Sequence, residues 1–236
     1  DSKGNQFVWI PTGTYQTSSG SKTNNLSRRT FTSSGSTPVS GDSVIDSYYY
    51  GEGNRNSVAY NQIGAFKDSV NRNGGFYIGR YELGSGNVVK AGVAPSANIS
   101  RDKAKSDIEN MYKGNSYVVS ELISSYAWDT ALNFICQTNS PGYTLAIATD
   151  DRYGNIGTGS RQNTGAYTAD NYSNIHDLLG NFRELTTEYS SLSSEPCVSR
   201  GGIYNGPLYN AASRHYPDST VDFSFYISAR AQLYVK

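Results

Sequence analysis

Helical periodicity is confined to one stretch of this sequence, between Ser100 and Asn139. Ser100 can cap a first helix, whose apolar residues between positions 104 and 112 lie on one face. Ser116 can cap a second helix, in which apolar residues recur at helical spacing from 119 to 135. The sequence therefore predicts two helices, and the rest of the chain must fold in another way.

Short apolar runs separated by Gly, Asn, Ser and Pro fill the remainder of the chain. Residues 7–11 have the β-branched and aromatic character of a strand, and residues 74–82 alternate around glycines as a central strand does. Short strands and turns are predicted from 143 to 148, a half-buried strand from 183 to 189, and a last strand from 225 to 235. Two helices with many short strands and long loops predict an α+β domain.

The N-terminal part of the chain, about residues 12–73, is predicted to be rich in loops. Between Thr17 and Asp42 the sequence is mostly Ser, Thr, Gly and Asn, which offer little apolar area to offset the entropy of ordering. Apolar residues return from 58 to 70, but their pattern does not assign a structure. A chain of 236 residues with 36% hydrophobic content can build one large domain.

The charge balance argues against an affinity for nucleic acid. Twenty basic and twenty acidic residues give a formal net charge of zero, whereas nucleic acids and anionic membranes are bound through clustered positive charge. No apolar run approaches the roughly 20 residues that a membrane-spanning helix needs. We therefore expect neither nucleic acid as a partner nor direct membrane insertion. The opening residues show no targeting pattern and do not reveal a location.

The two cysteines, Cys136 and Cys197, lie far apart, without CxxC spacing and without a neighbouring histidine. This spacing excludes the usual zinc and redox motifs. The pair fits either a disulfide or two buried free thiols. We expect free thiols, because cysteine is so often a small buried hydrophobe.

The segment between Glu195 and Gln232 has the most informative composition. It contains no Lys, Glu, Gln, Met or Trp, and its middle is rich in Tyr, Asn, Ser, Asp and Phe. Aromatic rings supply large contact areas with few rotatable bonds, and Asn, Ser and Asp supply adaptable hydrogen bonds, as in antibody loops. Residues 203–226 are therefore predicted to form a recognition surface rather than core strands, although Phe225 fits an inward-facing strand position equally well.

The residues expected to contact a ligand divide by chemistry. The aromatic anchors are Tyr204, Tyr209, Tyr216, Phe223, Phe225 and Tyr226. The polar contacts are Asn205, Asn210, His215, Asp218, Ser219, Thr220, Asp222 and Ser224. Ile203 and Leu208 would add apolar area. Arg200 and Arg230, which flank the segment, are expected to be structural, through ion pairs or bonds to carbonyl groups.

Four segments, in this order and spacing, resemble the formylglycine-generating enzyme (sulfatase-modifying factor) superfamily. They are Gly75–Glu82, the helix with Ala127 and Trp128, the run Asn174–Glu184 with its Leu-Leu-Gly-Asn-Phe-Arg-Glu sequence, and Ser199–Tyr204 with Arg-Gly-Gly. The resemblance covers residues 74–236, with 7–11 as the opening strand. It implies a C-type lectin-like fold with mostly antiparallel strands over one domain, residues 1–236, and a variable ligand-binding region at about 200–230.

Catalysis is not expected from this resemblance. Oxidase members of the superfamily carry two cysteines shortly after the Arg-Gly-Gly segment, where thiolates bind copper. Here that neighbourhood holds Gly206 and Asn210, and no cysteine follows Cys197. Related iron-dependent sulfoxide synthases need a histidine cluster, whereas this chain has only His176 and His215. We expect a non-enzymatic protein that requires no cofactor.

Variable proteins of diversity-generating retroelements resemble the chain most. In that class adenines in Asn-type codons are randomised, and the products exclude Lys, Glu, Gln, Met and Trp, as residues 203–226 do. The resemblance implies a diversified binder of a target protein or glycan on a cell or phage surface. It implies a monomer located at a cell surface, outside cells or on a virion. The alternatives are a formylglycine-generating oxidase and an undiversified adhesion module of a phage tail or cell surface.

Asn181 and Glu184 match positions that help to bind calcium in some members of the superfamily. Carboxylate and amide oxygens are ligands that this ion accepts. The resemblance therefore implies one candidate calcium site at these two residues.

Overall fold

The computed structural model describes residues 1–39, 57–139, 142–189, 197–206, 209–215 and 225–236, with the backbone alone for 57–62 and 142. The described chain has four helices and two principal sheets, an α+β architecture as predicted. None of the helices in these ranges combines the length and the apolar character that crossing a membrane requires.

The helices are α1 (Ser57–Asn73), α2 (Arg101–Met111), α3 (Ser125–Thr138) and α4 (Gly142–Ile147). The prediction for α2 is confirmed, and Ser100 caps it by accepting a hydrogen bond from the backbone N–H of Lys103 at 3.2 Å. The helix α1 fills the region that the sequence left unassigned. The prediction of a strand at 143–148 is wrong, because the short helix α4 forms there instead.

The predicted second helix is wrong in its first half. Ser124 caps α3 by accepting from the N–H of Ala127 at 3.1 Å, so the helix starts well after Ser116. The preceding residues form strand β7 (Val118–Leu122), which pairs with the C-terminal strand of the chain. The apolar residues of β7 fit both the helical period and the strand period, and pairing with the neighbouring strand selects the strand.

The first sheet is antiparallel and has β7 at one edge. It consists of β1 (Phe7–Pro11), β6 (Gly75–Gly79), β14 (Ala231–Val235) and β7, in that spatial order. The predictions for β1 and for β6 as an interior strand are confirmed. One core cluster, which includes Phe66, Phe76, Trp128 and Tyr234, packs this sheet against α1 and α3. A second cluster, which includes Ile108 and Leu122, packs it against α2.

The second sheet carries the C-terminal loops. Strand β10 (Arg183–Tyr189), which was predicted, lies between β11 (Cys197–Arg200) and β13 (Ile227–Ala229), and the short β12 (Arg214–His215) pairs with β11. The β10–β13 pair is parallel and the other pairs are antiparallel. The single last strand predicted for 225–235 is instead β13 and β14, in different sheets, because the chain passes from one sheet to the other at Arg230.

Three two-stranded ladders complete the fold. They are β2 (Gly13–Thr17) with β3 (Gly20–Asn24), β4 (Arg29–Thr32) with β5 (Gly35–Pro38), and β8 (Asn171–Tyr172) with β9 (Ile175–His176). The first two contradict the loop expected from Thr17 onwards. Their polar side chains do not build a core, but cross-strand hydrogen bonds between backbone groups do not depend on side-chain polarity.

Candidate binding face

The segment that follows β11 is held by its backbone. At Gly201, which has a φ of +83°, an added Cβ would lie 2.9 Å from the carbonyl oxygen of Leu178. At Gly202 it would lie 2.5 Å from the carbonyl oxygen of Leu179, whose carbonyl accepts the Gly202 N–H at 2.9 Å. Both glycines are therefore required for the close approach of this segment to residues 178–179.

Main-chain hydrogen bonds continue beyond the glycines on both sides of the segment. The N–H of Tyr204 donates to the carbonyl of Asn181 at 3.1 Å. The carbonyls of Ile203 and Tyr204 accept from the N–H groups of Gly157 and Gly159 at 3.1 and 2.7 Å. The segment 201–204 is thus bonded to two other stretches of chain, and none of these bonds involves one of its side chains.

A buried charge network fixes the two strands from which the loops emerge. Asp129 of α3 accepts from Arg200 at 2.5 Å and from Arg214 at 2.6 Å, and Arg214 also contacts Glu188 at 3.1 Å. Glu188 in turn contacts the buried Arg28 at 3.2 Å. Burial opposes ionisation of Asp129, but the two guanidinium groups hold its pKa below the usual value. The structural role predicted for Arg200 is confirmed.

Aromatic rings meet beside this scaffold, with Phe182 buried and Tyr204 and Tyr226 partly exposed. The ring of Tyr204 lies 5.5 Å from that of Phe182 and 6.0 Å from that of Tyr226, measured between centroids. Arg183 lies 4.6 Å above the ring of Tyr209. We call these residues, with Asn205, Asn210 and Phe225, the C-terminal face.

The described members of the predicted surface differ in exposure. Asn205 is exposed, Phe225 is 72% exposed and Tyr226 is 39% exposed. The inward-facing reading of Phe225 is therefore wrong. Tyr204, Tyr209 and Asn210 are half-buried, so each presents only part of its side chain to solvent.

Ile203 and His215 are buried, which departs from the expectation that they contact a ligand. Ile203 packs towards Gly206, where a Cβ would lie 2.2 Å from its Cδ1. His215 packs edge-on to Tyr209 at 4.0 Å, and burial together with Arg183 lowers its pKa to about 3. Both side chains support the loop from beneath.

Eight predicted contacts fall outside the described residues. They are Leu208, Tyr216, Asp218, Ser219, Thr220, Asp222, Phe223 and Ser224.

Arg183 was missed by the sequence reasoning. It stands at the start of β10, its backbone N–H donates to the carbonyl of Tyr226 at 3.0 Å, and its guanidinium stacks on Tyr209. Burial lowers its pKa below the usual value for arginine. It lies outside the compositionally unusual segment, so composition could not indicate it. The available signal was its position immediately before Glu184, in the Asn174–Glu184 run that resembles the superfamily.

Asn181 and Glu184 do not fit a calcium site. Glu184 accepts from Arg230 with both oxygens, at 2.7 Å from Nε and 2.5 Å from Nη2. The Oδ1 atom of Asn181 accepts from the side chain of Asn155 at 3.0 Å and from the N–H of Gln162 at 2.9 Å. The described residues contain no cluster of three His, Cys, Asp or Glu side chains suited to a metal ion. The Arg230 pair confirms the structural role predicted for that residue.

Both cysteines are buried free thiols, as predicted. Cys136 lies in a core cluster with Ile156 and Ala211, whereas Cys197 belongs to the cluster that packs against α2. Burial raises the pKa of Cys136 to about 12, and it also raises that of Cys197. Neither thiol has the lowered pKa of a reactive cysteine.

The architecture has solved counterparts. CarF matches with a TM-score of 0.51 and 13% sequence identity, over 69% of this chain and 87% of CarF. Variable protein 1 of Treponema denticola matches with a TM-score of 0.50 and 13% identity, over 67% of this chain and 84% of that protein. Both are C-type lectin-like, so the C-type lectin-like fold implied by the resemblance is confirmed. No family model matches the sequence, and no curated protein matches it.

Proposed function

We propose that this protein is a non-enzymatic binder whose C-terminal face is diversified by a retroelement. The fold is of the type found in formylglycine-generating enzymes, used here for recognition. Variable protein 1, whose fold is similar, carries the name of the class that the resemblance implied, and residues 203–226 match the residue exclusion of that class. The buried, separated thiols favour binding over copper chemistry.

One observation carries the proposal: the loop is held by groups that side-chain replacement leaves intact. Glycines and main-chain hydrogen bonds fix residues 201–204, and the network around Asp129 fixes Arg200 and Arg214. The exposed side chains of Asn205 and Phe225 take no part in these bonds. A surface arranged in this way can change its recognition chemistry without losing its fold.

The partner that suits the C-terminal face is a target protein or a glycan on a cell or phage surface. Half-buried tyrosines beside an exposed amide and an exposed phenyl ring combine rigid apolar area with adaptable hydrogen bonding. The protein would act as a monomer at a cell surface, outside cells or on a virion.

Tolerance to replacement tests the proposal directly. Two pools of the full chain would be displayed on yeast, each randomised at three positions with Asn-type codons varied at their adenines. The first pool varies Asn205, Phe225 and Tyr226, and the matched pool varies the buried Ile203, Ala211 and His215. We expect most of the first pool and little of the second to resist protease, because exposed replacements cost about 0.5 kcal/mol or less and core truncations about 2–5 kcal/mol. Equal losses in the two pools would contradict the proposal.

The DNA around the coding gene supplies a second test. A diversified protein requires a nearby template copy of the region that encodes residues 200–230, differing from it only at adenines. A coding region without such a copy would favour the undiversified adhesion module. The oxidase is tested by incubation with copper and a cysteine-containing sulfatase peptide, where formation of an aldehyde would overturn a purely binding function.

A further inference from the structure

The outer face of the first sheet is covered over only part of its width. One row of side chains crosses that face from Trp9 through Tyr77 and Leu233 to Ser120, as the strand registers show. Helix α2 covers the Ser120 end, where the Ser120 hydroxyl donates to the carbonyl of Ile108 at 2.7 Å. At the other end Trp9 remains 36% exposed. The uncovered part of the row is aromatic.

Two grooves adjoin this aromatic part. A groove of about 750 Å³ has an apolar floor that includes Phe7, Tyr77 and Leu233, and a rim that includes the exposed amides of Gln6 and Asn174. A second groove, of about 530 Å³, is lined by Trp9, Tyr15 and Phe134, among others. Each volume is within the range of roughly 300–1,000 Å³ that is typical of ligand pockets.

Trp9, which lines the second groove, is held in place by its neighbours. Its indole packs on the backbone of Gly75, where an added Cβ would lie 2.4 Å from Cζ2, so only glycine leaves room for the ring. The ring of Tyr77 packs against it edge-on, with centroids 4.9 Å apart. An aromatic side chain that is already immobilised loses little entropy when a ligand stacks on it.

The charged side chains that line the larger groove are Asp1 and Arg80, which have opposite signs. The carboxylate of Asp1 accepts from the hydroxyl of Tyr112 at 2.6 Å and from the amide of Asn5 at 3.0 Å, and its neighbouring amino group donates to the carbonyl of Asn5. Arg80 donates to the Gln6 side chain at 3.1 Å. A phosphate-bearing ligand would lack the basic cluster it needs, so a neutral ligand fits best.

We infer that the two grooves and the Trp9–Tyr77 pair form a second binding site, for a neutral oligosaccharide. A pyranose ring has an apolar face of C–H groups, which stacks on an aromatic ring, and hydroxyl groups around its edge, which hydrogen-bond to amides such as Gln6 and Asn174. Trp9 lines one groove and Tyr77, whose ring contacts it, lines the other, so the two grooves together suit several linked sugars. All of the residues named for this site lie outside 200–230, so the site stays constant if the C-terminal face varies as proposed.

Tryptophan fluorescence tests the site on the intact protein. The chain has two tryptophans, and Trp128 is buried with its Nε1 donating to the carbonyl of Ala211 at 2.9 Å, so acrylamide quenching reports on Trp9. The probes are cellohexaose, chitohexaose, maltohexaose and mannohexaose. We expect at least one of them to protect Trp9 from quenching, with a dissociation constant on the order of 1 mM or lower. If none of the four protects Trp9, the inference is overturned, and a protein partner becomes the better occupant.

Calorimetry on variants provides the matched test. Trp9→Ala and Gln6→Ala should each weaken binding of the active hexasaccharide, by about tenfold for Trp9. Gln6 is exposed, so its replacement leaves the fold intact even if the Trp9 variant is unstable. Tyr117→Ala, which removes a 79% exposed ring outside both grooves, should bind as the unmodified protein does. Unchanged binding by both Trp9→Ala and Gln6→Ala would overturn the inference.

Discussion

Asp129 links the two strands that frame the C-terminal face to the third helix. Its Oδ1 atom accepts from Arg200, and its Oδ2 atom accepts from Arg214 and from the backbone N–H of Arg29 at 2.9 Å. All of these groups are in the protein interior or close to it. A buried pair of this kind adds little stability over an apolar substitute, but it costs much when one member is removed.

Asp129→Asn should destabilise the protein by about 3–5 kcal/mol, because it leaves the buried Arg200 without its carboxylate partner and Arg214 with Glu188 alone. The measurement is urea unfolding followed by circular dichroism. The pKa of Asp129 is lowered in the fold, so its contribution is present above the unfolded value and is lost as the pH falls through the folded value. The deficit of the variant should therefore shrink in strong acid.

Asp150→Asn is the matched control for this substitution. Asp150 pairs with Arg152 at 2.5 Å on the surface, where water screens the interaction. The midpoint of urea unfolding should not change. Comparable losses in the two variants would show that the network around Asp129 does not hold the face.

At the scale of single residues the sequence predicted charge roles better than side-chain direction. Arg200 and Arg230 were assigned structural roles, because an arginine beside an apolar strand needs a partner. Ile203 and His215 were assigned to the surface, because composition alone does not say which side of a loop a residue takes. That direction is set by the glycines at 201 and 202 and by their contacts with residues 178–179.

Among the elements, β7 and β14 share a buried carboxylate. Glu121 of β7 accepts from the hydroxyl of Tyr234 at 2.7 Å and from the amide of Gln232 at 3.3 Å. The same Gln232 side chain accepts from the N–H of Ser124, the cap of α3, at 2.9 Å. Burial raises the pKa of Glu121 to about 7.

Glu121 should make stability depend on pH. A carboxyl group whose pKa is raised in the folded protein contributes most to stability at a pH below its unfolded pKa. That contribution falls as the pH rises towards the folded pKa. As the pH rises from the usual pKa of glutamate to about 7, the free energy of unfolding of the unmodified protein should therefore fall by roughly 3 kcal/mol relative to that of Glu121→Gln. Above pH 7 the difference between the two proteins should stay constant. The measurement is urea unfolding of both proteins across this range.

The comparison of the two proteins isolates Glu121. Burial lowers the pKa of His176 to about 4 and that of His215 to about 3, so both histidines reduce stability as the pH falls below their usual value. Because both proteins contain them, their contribution cancels in the difference. A difference that does not vary with pH would mean that Glu121 titrates normally.

Several elements had signals in the sequence that composition obscured. Thr17-Ser18-Ser19-Gly20 and Thr32-Ser33-Ser34-Gly35 are identical, and each forms a hairpin turn in which the threonine hydroxyl donates to the glycine carbonyl, at 2.8 and 3.0 Å. This repeat indicates two turns in a segment that its polarity assigned to a loop. The strand β7 carried no comparable signal, since its ladder partner β14 is distant in the sequence.

For the whole molecule, the two thiols report on the integrity of separate core regions. Cys136 packs near the C-terminal face and Cys197 beneath α2. Neither should react with a disulfide reagent near neutral pH until the protein unfolds, because burial keeps both thiols protonated. Mass spectrometry of the labelled protein at increasing urea concentrations checks this expectation.

The outcome distinguishes a binder from a redox protein. Both thiols should become labelled in the same transition that circular dichroism reports. Rapid labelling of either cysteine in the folded protein would reveal an accessible thiolate and would revive the oxidase alternative.

The overall architecture was predicted more fully than its connections. Motif order and spacing indicated the C-type lectin-like fold, and local patterns located β1, β6, β10 and α2. The remaining elements depend on contacts distant in sequence, as in the division of the last strand between two sheets at Arg230. That residue donates to the carbonyls of Gly79 and His176 at 2.8 Å each, contacts that no local pattern encodes.

Strand β14 is an interior strand of the first sheet, and it follows the variable segment along the chain. During synthesis the ribosome must therefore translate all of residues 203–226 before it produces the strand that unites β6 with β7. A stop codon or frameshift within that segment removes β14, so the sheet cannot assemble and the product is exposed to proteolysis. If the segment is diversified as proposed, any copy that folds has been read through it in frame.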